Sequence, residues 1–292
     1  MKVTIGLPAY NEARNIKKII SDLQKSGYSV IVCNDGSTDN TEEIVKKTGV
    51  RLISHEKNLG YGAAIKSIFN EAKNIDTDIL VTFDADGQHN ILDIEKITAP
   101  IISDSADIVI GSRFLGEGKN KIPKYRKIGI QVISKLSQSS NGQKIQDAQS
   151  GLRGYNKKSI NKINIVEKGM GVSTEILIKA NKNELRIIEV PVIINYEGDT
   201  STHNPTIHGL SVVLSTLKYV SVDHPLKFYG IPGLIFLIVG LYFVVWALQE
   251  FTIQGTILTN IAIIAASSTI IGFILLLSSI ILFSLGVIVK EK

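Results

Sequence analysis

The sequence predicts an α/β fold, a mainly parallel sheet with helices on both faces, followed by a two-helix transmembrane hairpin. Short β-branched and apolar runs alternate with helical patterns over roughly the first two hundred residues, as in sheets whose parallel strands are connected by helices. Hydrophobic residues make up 44% of the 292 residues, more than a soluble domain usually needs. The surplus lies in two uncharged runs, residues 228–249 and 251–289.

The strands and helices alternate from the first residues onward. Apolar residues at helical spacing between Ile16 and Leu23 define one face of the first helix, and Asp39 followed by Glu42 predicts a capped start for the second. The predicted strands cover residues 3–7, 29–33, 51–54, 79–83 and 108–110, and the predicted helices cover residues 11–23, 41–47, 60–72 and 92–102.

The two uncharged runs each exceed the roughly 20 residues that cross a bilayer core. A buried hairpin of a soluble protein is the alternative, which the length of the runs disfavours. Lys227 precedes the first run and Lys290 follows the second, whereas Glu250 alone is charged between them. This distribution predicts that both ends face the cytoplasm. We therefore expect an integral protein of the cell membrane, with a cytoplasmic domain of residues 1–200, a linker and interfacial helix of residues 201–227, and a hairpin of residues 228–292.

Charge and cysteine content exclude several classes of protein. The formal net charge of +5 is modest, and no zinc, helix-turn-helix or aromatic-basic motif predicts nucleic-acid binding. Cys33 is the single cysteine, so no disulfide framework is expected. The first residues meet Pro8 after a short apolar run, unlike a signal peptide.

Carboxylates follow the predicted strand of residues 79–83. Asp84 and Asp86, with the amide oxygen of Gln88, can converge on one hard cation if the turn curls, and such a cation keeps sites free for the phosphates of a nucleotide diphosphate. A solvated turn with only local hydrogen bonds is the alternative. The residues at the other strand ends therefore have to distinguish a cation site from a solvated turn.

Three further strand ends carry suitable groups. Residues 8–12 offer a rigid turn and an aromatic face for a base, Asp35 can hydrogen-bond a base or ribose, and residues 111–113 end in an arginine. Ligands of such sheets bind at the carboxyl ends of the strands. Each stretch taken alone is equally typical of a turn or a helix entry. The glycines of residues 60–62 lack the third glycine of the dinucleotide fingerprint, which disfavours a nicotinamide or flavin enzyme.

Seven motifs follow one another along the chain: PAYNE at residues 8–12, NDGSTDNT at 34–41, KNLGYGAA at 57–64, DADGQH at 84–89, GSRF at 111–114, DAQSGLRGY at 147–155 and EVPV at 189–192. Together they resemble the family 2 glycosyltransferases of the GT-A fold, and more closely their dolichyl-phosphate mannose synthase and polyprenyl-phosphate glycosyltransferase branch. The likeness covers nearly the whole chain, including a carboxyl-terminal membrane hairpin.

The resemblance implies a nucleotide-sugar donor, a polyprenyl-phosphate acceptor, a bound Mg²⁺ or Mn²⁺ ion, and a Rossmann-like GT-A sheet. Its implied metal ligands are Asp84, Asp86 and Gln88, and its implied nucleotide contacts are Pro8, Tyr10, Glu12, Asp35 and Asp84. The resemblance also implies that Asp86, Arg113 and Arg126 are catalytic, Asp86 as a ligand of the metal on the donor diphosphate and the two arginines as phosphate contacts. It implies that Ser150, Gly151, Arg153 and Glu175 lie on the acceptor side, where Arg153 would contact a phosphate.

The chain departs from the family pattern in two places. The usual paired aspartates before Gly-Ser are Asn34 and Asp35 here, so the role is carried over to Asp35 alone. The hydroxyl often found four residues after the arginine that matches Arg126 is Ile130, which puts one acceptor-phosphate contact in doubt.

Two amphipathic stretches could lie on the bilayer. One covers residues 124–136, where lysines and Arg126 surround an apolar face, and the other covers residues 207–220. Packing against the catalytic core is the alternative for both. Residues 195–206 between them predict either a mobile acceptor loop or an ordinary connection.

Three functions remain open at this point: a polyprenyl-phosphate glycosyltransferase, a processive polysaccharide synthase, and a non-catalytic nucleotide-sugar-binding membrane protein. A synthase would normally bring more membrane spans and a Gln-x-x-Arg-Trp motif, but the single tryptophan, Trp246, lies inside a predicted span. The donor remains open between GDP-mannose and a UDP-sugar.

Overall fold

The computed structural model describes residues 1–115, 145–193, 221, 225–256 and 258–291. The chain divides into two compact units, Met1–Thr216 and Leu217–Lys292. Arg126, the helical face of residues 124–136, the loop of residues 195–206 and the stripe of residues 207–220 lie outside the described residues. The predicted division at residues 200 and 227 stays a prediction, since most of the expected linker falls in that gap.

Strands and helices alternate through the described part of the first unit, largely where the sequence pattern predicts them. The strands are β1 Val3–Ala9, β2 Ser29–Asn34, β3 Arg51–Ser54, β4 Ile79–Thr82, β5 Ile108–Ser112, β6 Arg153–Asn156 and β7 Ile187–Pro191. The helices are α1 Ile16–Lys25, α2 Thr41–Lys46, α3 Tyr61–Asn74, α4 Asp93–Ile102, α5 Lys157–Lys162 and α6 Val172–Lys182.

The seven described strands form one sheet in the order β3-β2-β1-β4-β6-β5-β7. Most neighbours are parallel, with Ile5 of β1 beside Val30 and Val81. β6 is the exception, being antiparallel to both β4 and β5. The expected mainly parallel sheet is therefore confirmed, and the antiparallel β6 in its middle is an addition that strand–helix alternation does not predict.

Two hydrophobic clusters cover the two faces of the sheet. One contains buried residues of α1, α2 and α4, such as Ile20 and Ile97, against Val81 of β4. The other contains residues of α3, α5 and α6, such as Phe69 and Leu177, against Leu80 of the same strand. Because successive residues of a strand point to opposite faces, the all-buried run of β4 requires helices on both sides, as the sequence predicts.

The first helix begins later than the sequence pattern suggests. α1 starts at Ile16 rather than at residue 11, because Asn11 adopts a left-handed conformation with φ 58°. The Asn11 side chain accepts a hydrogen bond from the backbone N–H of Thr38 at 2.8 Å, a local bond that competes with helix formation. β1 also continues through Ala9, so Pro8 lies inside the strand.

The second unit consists of two long apolar helices in its described part. A π-helical turn, Leu226–Gly230, leads into α7, Ile231–Gln254, and α8 covers Thr259–Glu291. At 1.5 Å per residue these helices are about 36 and 50 Å long, and both are long and apolar enough to cross a bilayer.

Glycines allow α7 and α8 to approach closely. A Cβ on Gly240 would lie 2.4 Å from Thr269 Oγ1, and one on Gly272 would lie 2.8 Å from the backbone nitrogen of Leu237. Large apolar side chains point outward, with Leu241 64% exposed. This combination of small residues between helices and apolar residues outside is typical of membrane-embedded pairs.

Candidate active site

The candidate residues gather at one edge of the sheet. β1 is parallel to both β2 and β4, so the three strands end at the same edge. β6 runs in the opposite direction and therefore begins there, with Arg153 opposite Thr82. Ligands bind at this edge in sheets of this kind. The segments that follow β1, β2, β4 and β5 and the segment that precedes β6 form the candidate site.

Tyr10 and Glu12 occupy the turn after β1. Pro8 is buried inside the strand, and Tyr10 and Glu12 are half-buried. The turn is tied to the loop before α2, since the backbone N–H of Glu12 donates to Thr41 Oγ1 at 2.8 Å and that of Ala13 donates to Asp39 Oδ2 at 3.1 Å. The turn thus presents an aromatic ring and a carboxyl group on a braced backbone.

Asp35 follows β2 and is only 3% exposed. Its carboxylate accepts hydrogen bonds from the backbone N–H groups of Leu59 at 3.0 Å and Gly60 at 2.8 Å, and it pairs with His55 Nδ1 at 2.6 Å. Asp35 therefore fastens β2 to the loop before α3. Its nucleoside contact stays a prediction, and it would have to use lone pairs that these three bonds leave available.

Asp84 lies two residues after β4 and is held on several sides. Tyr61 Oη donates to its Oδ1 at 3.0 Å, and His89 Nε2 lies 3.3 Å from its Oδ2. Burial raises the pKa of Asp84, but hydrogen bonds from His89 and Tyr61 and the charge of Arg113 outweigh it, so the pKa lies below its usual value. Asp84 is thus kept as a carboxylate.

Asp86 and Gln88 form the turn that follows. Asp86 Oδ1 accepts a hydrogen bond from the backbone N–H of Gln88 at 2.9 Å, and Gly87 takes the left-handed conformation with φ 78°. Asn15 Nδ2 donates to the backbone oxygen of Asp86 at 3.4 Å. These bonds fix the backbone of the turn, and the convergence of Asp84 and Asp86 on one cation stays a prediction.

Negative charge is concentrated where this turn meets the turn after β1. The pKa of Glu12 is raised to about 7, first by burial and then by the nearby charges of Asp86, Asp39 and Asp84, although a hydrogen bond from Asn15 opposes the shift. A cation would relieve this repulsion. Oxygen ligands of this kind fit a hard divalent ion.

The described ranges contain no group of three His, Cys, Asp or Glu side chains that could hold a metal on its own. This finding does not conflict with the expected ligands, which are two carboxylates and an amide. Mg²⁺ usually takes only one or two carboxylates and completes its shell with water and substrate phosphates. The residues present fit that pattern.

Arg113 follows β5 and forms a two-point ion pair with Asp147. Its Nε lies 2.7 Å from Asp147 Oδ2 and its Nη2 lies 2.6 Å from Oδ1. Asp147 is itself held in place, because its backbone N–H donates to Glu189 Oε1 at 2.8 Å. The pair brings β5, β7 and the segment before β6 together, and it fixes the cationic group beside Asp84.

The segment before β6 packs directly against Asp84. A Cβ on Gly151 would lie 2.2 Å from Asp84 Oδ2, so any side chain there would displace the Asp84 carboxylate. Ser150 is 1% exposed, its hydroxyl has no hydrogen-bond partner among the described residues, and it lines a small cavity with Tyr61 and Thr82.

Arg153 is buried, with 2% exposure. Its guanidinium donates to the backbone oxygens of Ser150 at 2.8 Å, Ala148 at 2.7 Å and Ser173 at 3.1 Å. These bonds brace the loop that carries Ser150 and Gly151. The expected phosphate contact of Arg153 stays a prediction. In the structure, these hydrogen bonds of Arg153 go to the protein backbone.

Glu175 lies in the first turn of α6 and is 1% exposed. Its carboxylate accepts hydrogen bonds from the backbone N–H groups of Val166 at 3.0 Å and Glu167 at 2.9 Å, and from Lys179 Nζ at 2.7 Å. Glu175 therefore anchors the segment before its helix. Its acceptor role stays a prediction, as does that of Arg126, which lies outside the described residues.

The structure adds residues to the site to which the sequence assigns no role. Tyr61 and His89 belong to quoted motifs, yet their contacts with Asp84 depend on a fold that motif spacing does not show. Asp147 and His55 were likewise without a role. The sequence offers one signal for two of these residues: His89 ends, and Asp147 begins, a motif that also contains predicted site residues.

Comparison with known proteins agrees with this arrangement. Residues 4–163 match the family model described as Glycosyl transferase family 2. The chain is 38% identical over 208 residues to the UDP-N-acetylglucosamine–dolichyl-phosphate N-acetylglucosaminyltransferase of Methanococcus voltae, which covers 64% of this chain and 82% of that protein. It is 30% identical over 253 residues to the dolichol-phosphate mannosyltransferase of Pyrococcus furiosus, covering 80% of this chain and 70% of the relative.

A solved structure shares the fold at low identity. The glucosyl-3-phosphoglycerate synthase of Mycobacterium tuberculosis, in complex with UDP, superposes with a TM-score of 0.58 at 18% identity, over 75% of this chain and 80% of that one. This likeness supports the GT-A type of sheet.

Proposed function

The chain belongs to glycosyl transferase family 2, and from this premise we propose that it transfers a hexose unit from a nucleotide sugar to a polyprenyl phosphate. Two relatives that are named as transferases to dolichyl phosphate support the lipid acceptor. The product would be a sugar linked to the lipid through one phosphate, ready for glycan assembly.

The observation that carries the proposal is the acidic turn after β4. Asp84 and Asp86 follow one strand of the sheet, and burial, followed by the charges of Asp86, Asp39 and Asp84, raises the pKa of Glu12 to about 7. Negative charge of this density opposes the binding of a diphosphate unless a cation intervenes. We therefore propose that Asp84, Asp86 and Gln88 hold Mg²⁺ or Mn²⁺, which neutralises the charge that develops on the departing nucleoside diphosphate.

The side chains around that turn would bind and orient the donor. Tyr10 offers a half-buried ring beside Pro8, a suitable stacking surface for a base. Asp35 is braced against the loop before α3, so any contact with the nucleoside is made from a fixed position. Arg113 adds positive charge near Asp84, which favours the phosphates.

The proposed reaction is a single displacement with inversion. A phosphate oxygen of the lipid attacks the anomeric carbon while the bond from that carbon to the diphosphate oxygen breaks, and the electron pair leaves with the nucleoside diphosphate. A lipid phosphate is already an anion near neutral pH, so the attack requires no strong general base. An α-linked donor would give a β-linked product.

The hairpin explains how the site would meet a membrane lipid. α7 and α8 are long and apolar enough to span a bilayer, and their exposed apolar side chains, such as Leu241 and Ile238, would be costly in water. We propose that the hairpin anchors the catalytic unit at the cytoplasmic surface of the cell membrane, as the flanking Lys227 and Lys290 predict.

The test is a transfer assay with the full-length protein purified in detergent. Polyprenyl phosphate is supplied with GDP-mannose, UDP-glucose or UDP-N-acetylglucosamine in turn, with Mn²⁺ or with EDTA, and the lipid product is identified by mass and its anomeric configuration by NMR. We expect one donor to give a β-linked lipid-phosphate sugar in the presence of the metal. Failure of all donors to label the lipid would refute the proposal.

A pair of variants tests the metal site itself. Asp86→Ala should abolish metal-dependent transfer, whereas Asp22→Ala on α1, outside the candidate site, should not change it. If Asp86→Ala retained the wild-type rate, the assignment of the cation to this turn would be wrong.

A further inference from the structure

We propose that Tyr61 and His89 are positioning residues that hold the Asp84 carboxylate in one orientation toward the cation and the donor diphosphate. The proposal rests on the proposed function. It assigns roles to two side chains that neither contact the reacting atoms nor belong to the expected ligand set.

The two side chains divide the oxygens of Asp84 between them. Tyr61 Oη donates to Oδ1 at 3.0 Å, and His89 Nε2 lies 3.3 Å from Oδ2. A carboxylate only accepts hydrogen bonds, so the His89 hydrogen that points to Asp84 is on Nε2. Gly151 closes a third side, because even a methyl group there would lie 2.2 Å from Oδ2. The carboxylate therefore cannot rotate without losing contacts.

Tyr61 is delivered by a turn that is itself fixed. It is the first residue of α3, directly after Gly60, whose φ of 102° is accessible to glycine. The Asp35 carboxylate accepts hydrogen bonds from the backbone N–H groups of Leu59 and Gly60. A Cβ on Gly60 would lie 2.4 Å from the backbone oxygen of Lys168, so the turn is enclosed between two segments. The phenol consequently reaches Asp84 from a rigid base.

His89 is more buried than the carboxylate it contacts. The side chain of His89 is 4% exposed and that of Asp84 is 29% exposed, and the imidazole lies against Phe83 with ring centroids 5.4 Å apart. Its Nδ1 is buried without a hydrogen-bond partner among the described residues. The contact with Asp84 is thus the polar contact that the structure gives this ring, which points to Asp84 as the reason for a histidine here.

Orientation matters because a cation ligand must present a chosen lone pair. A misplacement on the order of 1 Å can cost about 100-fold in rate, and partners that orient metal ligands typically contribute 10- to 100-fold in affinity or activity. Asp84 keeps capacity for a cation, since each carboxylate oxygen accepts more than one bond. With 29% of its side chain exposed, Asp84 remains accessible to such a ligand.

The experiment measures metal binding separately from turnover. Full-length wild type, Tyr61→Phe, His89→Leu and His89→Gln are titrated with MnCl₂ in the presence of UDP, and again with GDP, while the EPR signal of free Mn²⁺ is followed. Transfer rates and melting temperatures in EDTA are measured on the same samples. Glutamine can place an amide N–H near the position of Nε2, so His89→Gln is the conservative rescue.

Tyr155→Phe is the matched control for the tyrosine. Tyr155 is buried, and its hydroxyl interacts with Arg153 and Thr82 rather than with Asp84. We expect Tyr61→Phe and His89→Leu each to weaken Mn²⁺ binding about 10-fold and to lower kcat by about 10- to 100-fold. Tyr155→Phe should leave Mn²⁺ affinity unchanged, and His89→Gln should recover most of both values.

The outcomes separate the two proposals. Wild-type Mn²⁺ affinity and kcat in Tyr61→Phe, or an equal loss in Tyr155→Phe, would overturn the positioning role while leaving the proposed function standing. A wild-type protein that binds no Mn²⁺ with either nucleotide and transfers no sugar would remove the proposed function and this inference with it. If His89→Leu does not fold, Tyr61→Phe and His89→Gln still decide the question.

Discussion

Arg113 and Asp147 form a buried fork in which two nitrogens of the guanidinium meet the two oxygens of the carboxylate at 2.7 and 2.6 Å. Their side chains are 12% and 0% exposed. Bidentate pairs of this kind are geometrically specific, and the backbone N–H of Arg113 adds a third bond to the same carboxylate at 3.0 Å. The pair therefore joins the end of β5 to the segment that enters β6.

Asp147→Asn should destabilise the first unit. Removing one charge of a buried pair leaves the other uncompensated, at a cost of about 3 kcal/mol. The measurement is the unfolding midpoint in urea for the full-length protein in detergent. Asp22→Asn on α1 is the control, since its half-buried side chain makes only a 3.8 Å pair with the exposed Lys25, and a change within about 0.5 kcal/mol is expected. Equal midpoints for Asp147→Asn and wild type would contradict the role of the pair.

Gly151→Ala should reduce transfer sharply while the protein stays folded. The new methyl group would displace the Asp84 carboxylate, and a shift of this size predicts a loss on the order of 100-fold in kcat. Gly169→Ala is the matched control, since its Cβ would meet only Glu167 Oε1 at 3.3 Å. Normal turnover in Gly151→Ala would show that Asp84 tolerates the displacement.

Glu12 predicts a pH dependence of stability in the metal-free protein. Its pKa is raised from 4.5 to about 7 in the folded state, so the folded protein binds the proton more tightly than the unfolded chain. The contribution of this proton to the free energy of unfolding is fully present below pH 4.5 and is lost as the pH rises through 7.

Glu12→Gln should flatten this part of the stability curve. Because the Glu12 side chain is partly exposed, the expected gain in the free energy of unfolding at pH 8 is limited to about 1–2 kcal/mol relative to wild type. Melting temperatures between pH 4.5 and 8 in EDTA provide the measurement. Parallel curves for the variant and wild type would show that Glu12 does not titrate in this range.

Cys33 should resist thiol reagents in the native protein. Burial, followed by the charge of Asp35, raises the pKa of the thiol to about 12, and the side chain is 0% exposed. At pH 8 the thiolate fraction is then on the order of 1 in 10,000, and the thiolate is the reactive form. Mass spectrometry after maleimide treatment should find no adduct before unfolding and one adduct after it; Cys33→Ser is the blank. Rapid native labelling would contradict the burial.

Gly240→Leu should disrupt the hairpin. The side chain would enter the space of Thr269, whose Oγ1 lies 2.4 Å from a Cβ at this position, so α7 and α8 would have to separate. Trp246 is the single tryptophan and lies in α7, so its fluorescence reports thermal unfolding of this unit in detergent. A lower midpoint is expected for Gly240→Leu, with no change for Val239→Leu on the exposed side; an unchanged midpoint for both would refute close packing at Gly240.

Local patterns predict most of the sheet, because strand and helix periodicities are properties of adjacent residues. β4 is one example, since its apolar run and the acidic turn that follows it identify both a buried strand and its functional end. β6 escaped prediction because Arg153–Asn156 is a four-residue strand with no alternating pattern. Its position between β4 and β5 depends on pairing across long stretches of chain.

The sequence predicts the location of the site better than it predicts the contacts of each side chain. Asp84 and Asp86 lie where the motif indicates, but the bonds of Asp35 and Glu175 are made with backbone N–H groups. Spacing along the sequence carries no information on whether a carboxylate faces a ligand or a backbone. Burial decides between the two, and burial follows from tertiary packing.

The antiparallel course of β6 places its first residue at the edge of the sheet where β5 ends. β5 ends and β6 begins at this edge, where the backbone N–H of Gly111 donates to the backbone oxygen of Leu152 at 2.9 Å. The free energy of closing a connection between two strands changes only slowly with the length of that connection. A change in the length of the connection between β5 and β6 should therefore cost little stability, whereas the two ends of that connection, with Arg113 and Gly151, are fixed by their contacts with Asp147 and Asp84.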